Sequence, residues 1–108
     1  MVTALIDIKE RYIDISIKGH ANYSSAGFDI VCASISVTVY NFESIWNNFG
    51  FGGNFDISEG NTNIKLPNNN YFIQKILLKS FIEILQKIES EYPQYIEVVI
   101  NNANWKIN

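Results

Sequence analysis

The spacing of apolar residues changes along this chain, and each change predicts a change of secondary structure. Residues 4–8 and 13–17 alternate apolar and polar side chains, with the polar segment KER between them. Alternation of this kind is typical of strands with one buried face, so these two segments predict a β-hairpin. The second strand stops at Gly19, which leaves His20 just beyond a strand end.

Within residues 29–49, a short segment has the pattern of a strand, whereas the whole segment has the pattern of a helix. Ile35, Val37 and Val39 alternate, and β-branched residues favour strands. Over the whole segment, however, apolar residues recur at three- and four-residue spacing, which places them on one face of a helix. The residues of this stripe are Val31, Ile35, Val39, Phe42, Ile45 and Phe49. Because the segment is also too long for one strand, we predict a helix.

A second hairpin and a second helix are predicted in the rest of the chain. The glycine-rich segment GFGGN at 50–54 ends the first helix, and residues 55–58 and 63–66 flank the turn segment EGNT. Residues 71–90 then carry a clear amphipathic stripe, and 95–100 predict a last strand. The residues of this stripe are Ile73, Ile76, Leu77, Phe81, Ile84, Leu85 and Ile88.

Two residues set the limits of this second helix. The last asparagine of PNNN, Asn70, is expected to cap its start, and Pro93 prevents its continuation. The order of elements is therefore strand, strand, helix, strand, strand, helix, strand. This order predicts an α+β fold, with two helices packed on a mostly antiparallel sheet, and we expect residues 1–108 to form a single domain.

Charge and composition exclude several classes of function. The net charge is −3, and eight Lys and Arg residues scattered along the chain provide no basic face for nucleic acid. The first residues contain neither a basic segment nor a sustained apolar run, so we expect no signal peptide, no membrane span and a cytoplasmic protein. A single cysteine cannot form an internal disulfide, and one His with one Cys does not make a zinc site. We expect no metal and no cofactor.

The one histidine and the one cysteine lie twelve residues apart, as His20 and Cys32. If a helix begins near Asp29, Cys32 lies in its first turn, where unpaired N–H groups favour a thiolate. An imidazole at the end of the preceding strand could take the thiol proton. The alternative is that Cys32 is a small core residue, His20 a loop residue and Asp29 a helix cap. The residues alone leave both interpretations open.

The segment from Gly19 to Ser36 resembles the ribosomal-processing cysteine protease (Prp) family of bacteria. The pattern is GHA followed by G, then DIVCA and a serine, with the His-to-Cys distance intact. The matching residues are Gly19, His20, Ala21, Gly27, Asp29, Ile30, Val31, Cys32, Ala33 and Ser36. One departure is Ser34-Ile35, where the family usually has Ala-Val; both changes are conservative.

The resemblance implies a cysteine endopeptidase that removes the N-terminal extension of a large-subunit ribosomal protein, the twenty-seventh of the L series. Cys32 would be the nucleophile and His20 the general base, and Asp29 would either orient His20 or cap the helix. A mobile substrate loop, with Gly19, Ala21 and Gly27, would close over the peptide. The expected partner is the ribosomal protein precursor, and backbone N–H groups at the helix start, near Val31 and Cys32, are expected to stabilise the oxyanion.

A homodimer is also expected, both from the resemblance and from the amount of apolar surface. Large apolar residues that a small sheet would not readily cover are Trp46, Phe49, Tyr71, Phe72 and Phe81. The main alternative function is a non-catalytic, ribosome-associated assembly protein that binds the same basic peptide. A redox-sensing thiol protein is disfavoured, because the chain has no second cysteine to resolve an oxidised one.

Overall fold

The computed structural model describes residues 1–25 and 29–101 of the chain. In these ranges the elements are β1 (Val2–Ile8), β2 (Tyr12–Lys18), α1 (Ile30–Asn48), β3 (Asn54–Ser58), β4 (Asn61–Pro67), α2 (Phe72–Glu91) and β5 (Ile96–Asn101). This order confirms the predicted succession of strands and helices, and it confirms the helix over most of residues 29–49. The predicted bounds differ from the observed ones by one or two residues.

The five strands of the described ranges form one sheet in the order β3-β4-β2-β1-β5. Three neighbouring pairs, β1–β2, β2–β4 and β3–β4, are antiparallel, and β1 pairs with β5 in parallel. The sheet is therefore mostly antiparallel and the fold is α+β, as predicted.

One face of the sheet is apolar and lies under the helices. In the register of the central strands, Ile6 is opposite Ile15, and Ile15 is opposite Ile64. All three are at most 2% exposed. Because side chains alternate between the two faces of a strand, this row of isoleucines explains the alternating pattern seen in the sequence.

Helix α1 covers the sheet with a stripe that ends at Trp46. Its buried residues are Val31, Ile35, Val39, Phe42 and Trp46. The sequence pattern placed Ile45 and Phe49 on this stripe, but Ile45 is only half-buried and Phe49 is exposed. The indole Nε1 of Trp46 donates a hydrogen bond of 2.7 Å to the carbonyl of Gly52, which ties the glycine-rich connection back onto the helix.

Helix α2 is rotated relative to the stripe that its sequence predicts. The residues that it buries are Gln74, Leu78, Phe81, Ile82 and Leu85, whereas Ile73, Ile76 and Ile84 remain exposed. The expectation that Trp46 and Phe81 add to the exposed apolar surface is wrong, because both are core residues. Neither of these helices, within the part of the chain that the structure describes, is long and apolar enough to cross a membrane.

The predicted cap of α2 is also wrong. The N-cap is Tyr71, which makes no side-chain capping bond, and Asn70 precedes it with a φ of +57°. The buried amide of Gln74 instead connects α2 to the loop before it: its Oε1 accepts the backbone N–H of Asn69 at 3.0 Å, and its Nε2 donates to the carbonyl of Pro67 at 3.3 Å. A buried amide needs partners, and this one finds them in the loop before its own helix.

Candidate active site

Cys32 is the third residue of α1 and therefore lies in the first turn of the helix. Its side chain is half-buried and carries a free thiol. The positive end of the helix dipole favours negative charge at such a position. A reactive thiolate needs a position that favours negative charge and a base nearby. The first turn of α1 provides the first of these two features.

Asp29 is the N-cap of α1 and connects the helix to the preceding loop. Its Oδ1 accepts the backbone N–H groups of Val31 and Cys32, both at 3.0 Å. Its Oδ2 accepts the backbone N–H of Tyr23 at 2.9 Å. In this conformation the amides of Val31 and Cys32, which are the expected oxyanion donors, both donate to Asp29.

The hydrogen bonds to Asp29 determine its protonation behaviour. Partial burial raises the pKa of Asp29, but hydrogen bonds from the backbone N–H groups of Cys32, Tyr23, Ser24 and Val31 outweigh it and hold the pKa below its ordinary value. Asp29 is thus a carboxylate at neutral pH. In the described residues Asp29 caps α1, and none of its hydrogen bonds goes to His20.

His20 follows the end of β2 and lies beside the turn between β3 and β4. Gly19, with a φ of +104°, donates its N–H to the carbonyl of Gly60 at 3.0 Å, and this bond extends the β2–β4 pairing by one step. A Cβ on Gly19 would collide with the carbonyl oxygen of Met1, so only glycine fits there. The chain therefore enters the loop at a fixed point, with His20 next in sequence.

Cys32 and His20 line the same cleft, which has a volume of about 230 Å³. One wall is α1, with Cys32, Ser36 and Tyr40 along it, and the opposite wall comes from the β3–β4 hairpin. The residues that complete the lining are Val2, Ile17, Gly19, Ile35, Val39, Ile57, Ser58, Glu59, Gly60, Asn61 and Thr62. The fold thus brings a thiol, an imidazole and an open groove together.

The loop after His20 is partly anchored. Ala21 is buried in the core, and the ring of Tyr23 packs edge-on against the rings of Tyr92 and Tyr95 at 5.5 and 5.0 Å. Gly27, the third residue expected in the substrate loop, lies outside the described residues. The loop that was predicted to be mobile, from Gly19 to Asp29, also lies partly outside the described residues, because residues 26–28 are not described.

Sequence reasoning did not identify the hairpin wall of the cleft. Ser58, Glu59 and Gly60 lie far along the chain from Cys32, and nothing in the segment EGNT points to His20. The only signal was the prediction of a hairpin at that place.

Residues 1–25 and 29–101 contain no group of three or more His, Cys, Asp or Glu side chains that could hold a metal ion.

Comparison with known proteins places this chain in a family. The family model described as cysteine protease Prp matches residues 1–97. A ribosomal processing cysteine protease Prp from Staphylococcus aureus, strain Mu50, is 29% identical over an alignment of 105 residues, and the match covers 91% of this chain and 97% of the relative.

Solved structures agree with the match. A crystal structure of the essential ribosomal processing protease Prp from S. aureus with a covalently linked product peptide superposes with a TM-score of 0.84 at 23% identity, covering 94% of this chain and all of that one. The S. aureus structure with a substrate peptide gives a TM-score of 0.78 at 22% identity, with the same coverage. At such identity the structures show the common fold, and the family model shows the relationship. The chain belongs to the Prp family of cysteine proteases.

Proposed function

We propose that this chain is the endopeptidase that removes the N-terminal extension of a large-subunit ribosomal protein, the twenty-seventh of the L series, with Cys32 as nucleophile and His20 as general base. The observation that carries the proposal is the cleft itself, where Cys32 from the first turn of α1 and His20 from the end of β2 line one groove. These are the only thiol and the only imidazole of the chain. The peptide-bound S. aureus relatives support a peptide as substrate.

The reaction is acyl transfer in two halves. His20 takes the proton of the Cys32 thiol, and the thiolate attacks the carbonyl carbon of the scissile bond. The C–N bond breaks as His20 returns the proton to the leaving amine, which leaves the N-terminal extension as a thioester on Cys32. Water, deprotonated by His20, then hydrolyses the thioester and regenerates the thiol.

The lining of the cleft suits an extended peptide. The exposed ring of Tyr40 on α1 and the half-buried side chain of Ile57 on β3 offer contact to apolar substrate side chains. Polar groups at the rim, such as Ser58 and Asn61, are available to the peptide backbone. Since Asp29 already accepts the first amides of α1, the oxyanion is stabilised by other donors or after a local rearrangement on binding.

In this proposal, residues 1–108 form one protease domain. The enzyme works in the cytoplasm, where the precursor is made. It needs no metal or cofactor and makes no direct contact with nucleic acid. Two copies associate as a homodimer. The exposed apolar residues Ile30, Val37 and Ile84 support this, because they line a groove on the outer side of α1 and α2.

The test is to incubate the purified chain with the matching precursor and to follow the products by mass spectrometry. One cut at the end of the extension, absent with Cys32→Ala, is the expected result. If wild type and Cys32→Ala both bind the precursor and neither cuts it, the result would instead favour the alternative, a non-catalytic ribosome-associated assembly protein.

A further inference from the structure

The turn between β3 and β4 makes a close contact with the imidazole of His20. Gly60 occupies this turn with a φ of +71°, a conformation that glycine adopts readily. A Cβ built on Gly60 would lie 2.7 Å from both Cε1 and Nε2 of His20. The ring therefore occupies the space that any other side chain at position 60 would need.

The same turn also holds the backbone that carries His20. The carbonyl of Gly60 accepts the N–H of Gly19, the residue before His20, at 3.0 Å. His20 itself is exposed to solvent, and the described residues show no side-chain hydrogen bond to its ring. On the side of the hairpin, the position of the imidazole is therefore limited by its packing against Gly60 and by this single backbone hydrogen bond.

We infer that Gly60 is a positioning residue for His20, and that its missing side chain lets the imidazole settle against the hairpin, in the cleft that also contains Cys32. The inference rests on the proposed role of His20 as general base. A side chain at position 60 would push the ring away from the turn. Proton transfer requires the donor and the acceptor within hydrogen-bond reach, and in the part of the chain that the structure describes no hydrogen bond yet joins the ring to Cys32, so this contact must form when the peptide binds. A ring pushed away from the turn is displaced from the cleft in which the contact forms, which lowers the rate of the chemical step more than it weakens peptide binding.

Gly50 offers a matched control. It has nearly the same backbone angle, with a φ of +73°, but nothing lies within 4 Å of a Cβ built on it. Gly60→Ala and Gly50→Ala thus place the same residue in the same strained conformation, and only the first meets His20. Gly60→Asn is a second variant that tolerates the positive φ better and still carries a Cβ.

The experiment combines precursor-cleavage kinetics with NMR of the ring protons of His20, which are unambiguous because the chain has one histidine. We expect both Gly60 variants to lower kcat at least about tenfold with KM changed less than about threefold, and to shift the His20 ring signals. Gly50→Ala should leave both readouts as in wild type. In wild type, a nuclear Overhauser effect should connect the His20 ring to the Gly60 α-protons.

Two results would overturn the inference. One is an unshifted His20 signal and wild-type kcat in folded Gly60→Asn; the other is the absence of the Overhauser effect in wild type. A failure of the proposed function looks different: wild type would not cut the precursor, or His20→Ala would cut it as fast as wild type, whereas the NMR contact between His20 and Gly60 would persist.

Discussion

The carboxylate of Asp29 accepts the backbone N–H of Cys32 at 3.0 Å, so the residue proposed as nucleophile is held by the cap of its own helix. The other oxygen of the same carboxylate holds the loop through the N–H of Tyr23. This arrangement makes Asp29 a structural connection between the loop and the helix. It also gives the substitution of Asp29 a specific expected outcome.

Asp29→Asn should retain the helix cap through its amide oxygen and lose the bond to Tyr23, whereas Asp29→Ala should lose both. We expect Asp29→Ala to lower the free energy of unfolding by about 1 kcal/mol and Asp29→Asn by less, measured by urea denaturation. Because the cap does not touch His20, cleavage by Asp29→Asn should stay within a few fold of wild type. A loss of about tenfold or more in a stably folded Asp29→Asn would show instead that Asp29 orients His20.

The lowered pKa of Asp29 predicts how stability depends on pH. The folded-state pKa lies below the unfolded one. The contribution of Asp29 is therefore fully present above the unfolded value, about 3.9 for an aspartate in a peptide, and is lost as pH falls through the lower folded value. Urea denaturation between neutral pH and about pH 3 should therefore show less acid destabilisation in Asp29→Asn than in wild type. Identical slopes for the two proteins would contradict this assignment.

His20→Ala should lower kcat/KM by about 10²–10⁴-fold, the usual contribution of a general base. Circular dichroism and denaturation serve as the check of folding, and little change is expected because His20 is exposed. Activity within a few fold of wild type would make His20 an ordinary loop residue.

The homodimer is tested on the outer side of the helices. Val37 is 66% exposed on α1 and lines the same groove as Ile84 of α2. Val37→Glu should turn a light-scattering mass of two chains into that of one, since a charge in an apolar interface is costly to desolvate. Gln86→Glu adds a negative charge to α2 at an exposed position outside the groove and should leave the dimer intact. A wild-type monomer across a wide range of concentrations would refute the dimer.

Local patterns predicted the elements of this fold well, because alternation and helical spacing follow directly from which faces are buried. The long segment from 29 to 49 is a case where length outweighed a short alternating run, and α1 confirms it. The same patterns did not predict which face α2 buries. Its apolar residues extend around much of the helix, and packing selects Leu78 and Ile82 while Ile76 stays exposed.

The candidate site was predictable only in part, for a similar reason. His20, Asp29 and Cys32 are close in sequence, so their chemistry could be considered together from the start. Gly60 enters through the pairing of β2 with β4, a contact between distant parts of the chain. A local sequence pattern does not predict a contact between distant parts of the chain. Only the fold shows that the turn between β3 and β4 packs against His20.

The central claim is that Cys32 attacks the precursor, and the acyl-enzyme is its most direct evidence. Wild-type protein mixed briefly with the precursor, quenched in acid and analysed by intact-mass spectrometry should carry an adduct equal to the N-terminal extension less one water, located on Cys32. Cys32→Ala should show neither the adduct nor the cut, while its free energy of unfolding changes by about 1 kcal/mol or less. Cleavage that continues in Cys32→Ala at the wild-type rate, with no adduct on the wild-type protein, would contradict the account.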